Sequence, residues 1–206
     1  MGKRVFDLCV ALGVLLVLSP LLVAAALWIK LDSPGPVLFR QQRVGWRGRP
    51  FAILKFRTMR HAATGDGLRI TVGADPRITR AGVFLRRHKI DEFPQFINVL
   101  RGEMSVVGPR PEVPHYVALY TQAQRDIVLS VRPGITDPAS LVFKDESTLL
   151  AKADDPENFY VTEVMPAKLE HAAQYVATRS LLGDIRIVLR TAGAIVARRK
   201  HPACEP

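Results

Sequence analysis

Cys9-Val10-Ala11-Leu12-Gly13-Val14-Leu15-Leu16-Val17-Leu18-Ser19-Pro20-Leu21-Leu22-Val23-Ala24-Ala25-Ala26-Leu27-Trp28-Ile29 carries no charge, and its reading decides the architecture. About 20 apolar residues is the length of a membrane-spanning helix. Lys3 and Arg4 precede the run; Lys30, Arg40, Arg43, Arg47 and Arg49 follow it. A cleaved signal peptide would use Lys3 and Arg4 as its basic start and residues 24–26 as its small-residue site. Asp7 and the length of the run speak against it. A straight span is the default in lipid, where backbone polar groups must pair within the helix. A helix that enters and turns back is the third reading. Proline removes a backbone bond and crowds the preceding turn, so Ser19-Pro20 predicts a kink mid-run. The Ser19 hydroxyl can satisfy part of the freed backbone. Positive charge on both flanks draws both to the cytoplasm, which a hairpin satisfies and a span frustrates. Many spanning helices contain proline, so the residues leave both readings open. Trp28 fits an interfacial anchor.

Ser33-Pro34-Gly35-Pro36 closes the segment with a turn. Residues 37–39 and 51–56 read as strands, with Gly45, Gly48 and Pro50 between them. Lys55, Arg57 and Arg60 form a cationic cluster, and Lys55 and Arg57 would share a face if the strand persists. A solvated edge strand carries the same pattern. Residues 61–67 read as a loop. Residues 76–87 read as a helix with Ala81, Phe84 and Leu85 on one side. Phe93, Phe96, Ile97 and Leu100 make the next helical stripe, with Phe96 and Leu100 as core and Gly102 as the stop.

Between these helices lies Arg86-Arg87-His88-Lys89-Ile90-Asp91-Glu92-Phe93-Pro94-Gln95. Residues 1–110 hold 18 Lys and Arg against 7 Asp and Glu, whereas residues 111–206 hold 11 against 12. Two of the few carboxylates in the basic half are therefore adjacent. Nearby cations favour their ionisation and each opposes the other's. That combination suits a nucleophile beside a proton-handling acid. Acidic residues also simply complement a helix start. Free N–H groups at such a start can hold a phosphate.

Residues 104–107 read as a short strand. Gly108-Pro109-Arg110-Pro111 follows, and the flanking prolines fix the backbone so that the Arg110 fork is aimed at little entropic cost. Arginine binds phosphate bidentately; a plain turn has the same composition. Residues 131–136 read as a loop motif. Residues 112–206 are mainly helical, with helices at 168–178 and 181–200. The last places Leu182, Ile185, Leu189 and Ile195 among Arg186, Arg190, Arg198, Arg199 and Lys200. Such a helix suits an anionic membrane surface or covers the protein's own core. The net charge of +10 points to an anionic partner. Cys9 and Cys204 define neither a disulfide framework nor a metal site, and His88, His115 and His171 form no ligand constellation.

In order, these motifs resemble the bacterial monotopic phosphoglycosyl transferases, the bacterial sugar transferases that initiate glycan assembly on undecaprenyl phosphate. The resemblance covers nearly the whole chain. It rests on Lys3-Arg4-Val5-Phe6-Asp7, Ser19-Pro20, Lys55-Phe56-Arg57-Thr58-Met59, Arg77-Ile78-Thr79-Arg80, Leu85-Arg86-Arg87 and Asp91-Glu92-Phe93-Pro94-Gln95. It continues through Asn98-Val99-Leu100, residues 104–111 and Arg132-Pro133-Gly134-Ile135-Thr136. The joint order is far more specific than any one motif.

The resemblance implies a helix-rich α/β (α+β) fold. Residues 1–32 would form a re-entrant membrane helix breaking at Ser19 and Pro20. Residues 33–206 would form a small cytoplasmic catalytic domain with amphipathic surface helices, on the bacterial inner membrane. It implies attack by Asp91 on the β-phosphorus of a nucleotide-sugar, usually UDP-linked, with release of UMP. Undecaprenyl phosphate then takes the phosphosugar. Glu92 would handle protons or activate the site, and Mg²⁺ would bind Asp91 and the diphosphate. Arg110 matches a phosphate-contacting arginine; Lys55, Arg57, Arg86, Arg87 and Arg132 complete the expected substrate-binding set. Membrane lipid is an expected partner, a homodimer is compatible, and nucleic acid is not expected.

The sequence departs from the family pattern in two places. His88 and Lys89 stand where hydroxyl residues are common, and Asp137 follows Thr136 where glycine is common. The chain looks like the minimal catalytic unit, without a multi-span extension. Two other classes compete. A membrane-anchored nucleic-acid-binding protein would explain the basic half but lacks a groove-reading module or stacking platform. A catalytically silent membrane scaffold would bind nucleotide-sugar without forming an adduct.

Overall fold

The computed structural model describes residues 2–60, 75–143 and 146–200. α1 (Gly2–Val17) and α2 (Ser19–Asp32) meet at a bend of 63°. Pro20 occupies the first turn of α2, where its missing N–H leaves no bond unmade. The Ser19 hydroxyl donates back to the Leu16 carbonyl at 2.8 Å. Among the described residues no single helix is long and apolar enough to cross a membrane; the bent pair is, taken together. Each helix docks one narrow face, Asp7 and Ala11 on α1, Ala25 and Ile29 on α2. Leu12, Leu16 and Val17 on α1 and Val23, Leu27 and Leu31 on α2 are exposed.

β1 (Leu38–Val44) and β2 (Pro50–Phe56) form an antiparallel hairpin with Leu38 opposite Phe56. β1 is longer than the sequence pattern predicts, because its polar residues 40–43 sit on a partly exposed ladder. α3 (Arg80–Arg87) begins later than residue 76, since the Thr79 side chain accepts from the Gly82 amide at 3.0 Å and caps the helix. Gly82 lets α3 approach the chain beyond β2: a Cβ there would lie 2.0 Å from the Thr58 carbonyl oxygen. Phe84 is not core. It lies outward against Trp28, with ring centroids 5.3 Å apart.

A short 3₁₀ turn (Ile90–Glu92) leads through Phe93 and Pro94, both in right-handed helical conformation, into α4 (Gln95–Arg101). Gly102, at φ 81°, ends it. The inward residues of α4 are Gln95, Phe96, Asn98 and Val99, while Leu100 is exposed, against expectation. Asn98 explains the rotation. Its Oδ1 accepts from the Leu54 amide at 3.0 Å and its Nδ2 donates to the Ala52 carbonyl at 2.8 Å, fastening the helix to β2.

β3 (Ser105–Val107) pairs in parallel with β4 (Gly134–Thr136), so the expected loop at 131–136 contains a strand. Then come α5 (Pro114–Ala118) and α6 (Gln122–Val128) before β4, and α7 (Pro138–Val142), α8 (Glu146–Leu150) and α9 (Pro156–Phe159) after it. A π-turn joins α9 to α10 (Met165–Thr178), and α11 (Leu181–Lys200) ends the helical series. The inward residues of α11 are Asp184, Ile187 and Val188; Leu182 and Leu189, expected on the apolar face with Ile185, point outward. The loop expected at 61–67 lies outside the described residues.

Among the described residues the apolar core has three clusters. One joins α1, β2, α4 and β3; another joins α2, β2 and α3; the third gathers α5, α6 and α10. A polar network fastens both ends of the chain to β3. Asp7 accepts from the Ser105 hydroxyl at 2.9 Å and the Val106 amide at 3.0 Å. Lys3 pairs with Asp184 and donates to the Val107 carbonyl, and the Tyr175 hydroxyl donates to Asp184 at 2.8 Å. The residues alone mark Asp7 as an interruption of a basic start and the family resemblance places it in an opening motif, but neither shows that it anchors α1 to β3.

Candidate active site

Three elements bring the central charges together. Lys89, at φ 57°, occupies the left-handed region that lysine rarely adopts, and turns the chain from α3 into the 3₁₀ turn bearing Asp91 and Glu92. β2 supplies Lys55. The loop after β3 supplies Arg110. That loop is held tightly because Gly108 and Gly134 lack side chains; a Cβ on Gly134 would lie 2.1 Å from the Gly108 nitrogen.

Glu92 is the hub. It takes both terminal nitrogens of Arg110, with Nη2 on Oε1 and Nη1 at 3.4 Å from Oε2. Lys55 Nζ donates to Oε1 at 2.9 Å. Burial alone would raise the Glu92 pKa, but Arg110 and Lys55 outweigh it and hold the carboxyl well below the usual range. Glu92 in turn raises the pKa of Arg110. Burial lowers that of Lys55, with Glu92 opposing.

Asp91 has the opposite environment. It is buried, and of its two carboxylate oxygens Oδ1 is enclosed without a hydrogen-bond partner among the described residues. Burial and then the Glu92 charge push its pKa up, against Lys55, Lys89 and Arg86. The sequence shows the cations and the neighbouring carboxylate as opposing influences; burial, which it does not show, is the largest and outweighs the cations. The adjacent carboxylates thus divide. One is locked as an anion among cations, and the other is held with an unsatisfied oxygen.

Other expected site residues lie as follows. Arg86 donates to the Thr58 hydroxyl at 3.0 Å and acts on Asp91 through its charge. Arg87 is exposed on α3. Arg132 donates to the Gly102 carbonyl at 2.8 Å and lies 4.8 Å over the Trp46 ring. Arg57 diverges from Lys55. Its guanidinium is buried at the end of α2, donating to the carbonyls of Ser33 and Pro34, each at 2.7 Å, and to Ile29. It is a brace for α2 and the following turn rather than part of the carboxylate cluster. Asp137 is a residue that sequence reasoning left without a role. It caps α7 through Ser140 and accepts from the Arg110 amide at 3.2 Å, so it fixes the arginine's backbone. Its place where glycine is common was the available signal.

This cluster can neutralise and orient a phosphorylated group beside a carboxylate. Residues 1–198 match the family model described as bacterial sugar transferase. The chain belongs to the bacterial sugar transferase family. It is 40% identical over 192 residues to the UDP-glucose:undecaprenyl-phosphate glucose-1-phosphate transferase of Escherichia coli K12, covering 92% of this chain and 39% of that protein. It is 39% identical over 205 residues to the protein of the same name from Caulobacter vibrioides, covering 94% of this chain and 69% of that one. It is 40% identical over 207 residues to the exopolysaccharide production protein PSS of Rhizobium leguminosarum bv. phaseoli, covering 96% of each. This sugar transferase chain therefore spans about two fifths of some curated relatives and nearly all of another.

Proposed function

We propose that this protein transfers a sugar-1-phosphate from a UDP-sugar to undecaprenyl phosphate, the first membrane step of polysaccharide or glycan assembly. The observation that carries this reading is the divided carboxylate pair, with Glu92 locked to Arg110 and Lys55 beside a buried, under-satisfied Asp91. The names of the relatives support the same reaction.

A carboxylate oxygen of Asp91 attacks the β-phosphorus of the UDP-sugar. The new bond is Asp91 O–P, the bond from phosphorus to the bridging oxygen breaks, and UMP leaves with that electron pair. A phosphate oxygen of undecaprenyl phosphate then attacks the same phosphorus and releases Asp91 as carboxylate. Such transfers depend on in-line positioning and charge neutralisation. Arg110 and Lys55 supply positive charge at the diphosphate. Glu92 accepts from both and serves to orient them; its low pKa makes it a poor proton donor.

The donor set fits Mg²⁺. Both Glu92 oxygens are engaged, which leaves Asp91 as the carboxylate for a cation. Among the described residues no three His, Cys, Asp or Glu gather as a cage. Mg²⁺ commonly takes one or two carboxylates plus phosphate oxygens and water. When bound it supplies further charge neutralisation.

The bent α1–α2 pair is a re-entrant anchor in this reading, with the catalytic domain on the cytoplasmic face of the bacterial inner membrane. The test is intact-protein mass spectrometry with UDP-sugars, Mg²⁺ and no polyprenol phosphate. Wild type should gain one phosphosugar mass on Asp91, discharged by polyprenol phosphate, and Asp91→Asn should gain none. Full turnover through Asp91→Asn would overturn the two-step scheme.

A further inference from the structure

The polar residues of β1 alternate. Arg40 and Gln42 are exposed, whereas Gln41 and Arg43, two apart on the other face, are half-buried. Arg43 Nε and Nη2 both donate to Gln41 Oε1, at 3.1 and 2.7 Å. Its Nη1 donates to the Pro111 carbonyl at 3.0 Å and lies 3.6 Å from Glu112 Oε2. Glu112 Oε1 accepts from the Tyr160 hydroxyl at 2.7 Å, and Tyr160 is buried in the core cluster of α5, α6 and α10. Burial lowers the Arg43 pKa against Glu112, and the nearby Arg110 charge lowers it further. Prolines 109 and 111 fix only their own φ angles, so the other torsions around Arg110 need outside restraint. Each residue of the loop has one. The Pro109 carbonyl accepts from the Gly134 amide at 3.0 Å, and the Arg110 amide donates to Asp137 at 3.2 Å. Arg43 holds Pro111, and the Glu112 carbonyl accepts from the Val44 amide at 2.9 Å.

We propose that Arg43 is a positioning residue for Arg110: it grips the Pro111 carbonyl and, with Glu112 and Tyr160, ties the loop to the core, so that the Arg110 guanidinium is aimed before the diphosphate arrives. This rests on the sugar-phosphate transfer reading, in which Arg110 faces that diphosphate. Every nitrogen of Arg43 is engaged by the protein, so it serves as a brace and not as a further substrate contact. Charges that are oriented in advance need no reorganisation during the reaction. Loss of the brace should therefore act through Arg110.

A double-mutant cycle on the full chain in nanodiscs tests this, with UMP release from UDP-sugars as the readout. Rates are taken per folded molecule, the folded fraction being read from thermal melts. Arg43→Gln should lower kcat/KM roughly 10- to 100-fold, the scale of a misplaced active-site group. Arg43→Lys keeps the charge but cannot grip Gln41, Pro111 and Glu112 together, so it should be slow as well. It also carries the test if Arg43→Gln folds poorly. In an Arg110→Lys background, where a single ammonium gains less from being aimed, the Arg43→Gln penalty should shrink to about twofold or less. A merely structural role would lower the melting temperature and leave the rate per folded molecule unchanged, which overturns the inference. Full rescue by Arg43→Lys would show that only the charge matters and also overturns it. Equal penalties in the two Arg110 backgrounds would mean that Arg43 acts independently of Arg110, with the same consequence. Absence of UMP release from wild type with every UDP-sugar overturns the transfer reading, and this inference with it.

Discussion

Asp91 and Glu92 are neighbours with opposite contributions to stability. The Glu92 pKa is depressed, so its stabilisation is fully present above the ordinary glutamate value and is lost as pH falls through its native value. Glu92→Gln should cost roughly 1–3 kcal/mol at neutral pH, because it strips the partly buried Arg110 and Lys55 of their anion. The Asp91 pKa is raised, so its contribution is favourable below the ordinary aspartate value and is lost as pH rises through the native one. Asp91→Asn should therefore be inert as an enzyme yet at least as stable as wild type at neutral pH. Denaturant titrations from about pH 3, below the ordinary carboxyl values, to neutrality check both signs; equal losses in the two variants would contradict the divided pair. Arg110→Lys keeps charge without the fork that grips both Glu92 oxygens. It should lose roughly 1–3 kcal/mol of transition-state stabilisation in kcat/KM, and wild-type kinetics would make Arg110 a turn residue only. Adjacency of the carboxylates was legible in the sequence, and so was their cationic surrounding. Which carboxylate is locked was not, since Lys55 and Arg110 reach Glu92 from distant parts of the chain.

Arg57 shows how a strand end can serve a helix instead of a substrate. Its buried guanidinium gathers carbonyls at the end of α2 and in the turn that follows. Arg57→Met should destabilise the protein by ~3 kcal/mol, several buried acceptors losing a charged donor together. UDP-sugar affinity of the folded fraction should be unchanged. Gly35→Ala offers a second route to the same defect, because a Cβ there would lie 2.1 Å from Arg57 Nη1. Weakened nucleotide affinity with unchanged stability would return Arg57 to the substrate site. Local pattern identified the β1–β2 hairpin, the Ser19-Pro20 break and the helices at α10 and α11, since turn chemistry and period are local properties. It failed where tertiary partners decide. Asn98 rotated Leu100 outward, the Gly108–Gly134 approach turned a loop motif into β4, and Asp184 became the inward face of α11 because Lys3 and Tyr175 meet it there.

At the scale of the molecule, exposed apolar surface is concentrated on the outer faces of α1 and α2, where Leu31 is 87% and Val17 76% exposed. Leu182 and Leu189 of α11, beside Arg186 and Arg190, add a second exposed apolar set with cationic neighbours. Leaving so many large apolar side chains in water is costly, at roughly 25 cal/mol per Å², and this supports the proposal that lipid covers them. Two topologies remain distinguishable. In a re-entrant hairpin the 63° bend is the deepest point and both flanks return to one side. In a span the bend is only a kink and the flanks part. Positive charge on both flanks favours the hairpin. Single cysteines at Gly2 and Arg49, in a Cys9→Ser/Cys204→Ser background, should both resist a membrane-impermeant thiol reagent in intact spheroplasts. Both should react after permeabilisation. Pro20→Ala should straighten the break and move a fraction of molecules to the spanning form, because proline no longer disrupts the helical ladder there. That fraction would expose one of the two sites. Labelling of one wild-type flank and protection of the other would establish the span. Labelling of both would place the catalytic charge cluster on the wrong side of the membrane for a cytoplasmic nucleotide-sugar.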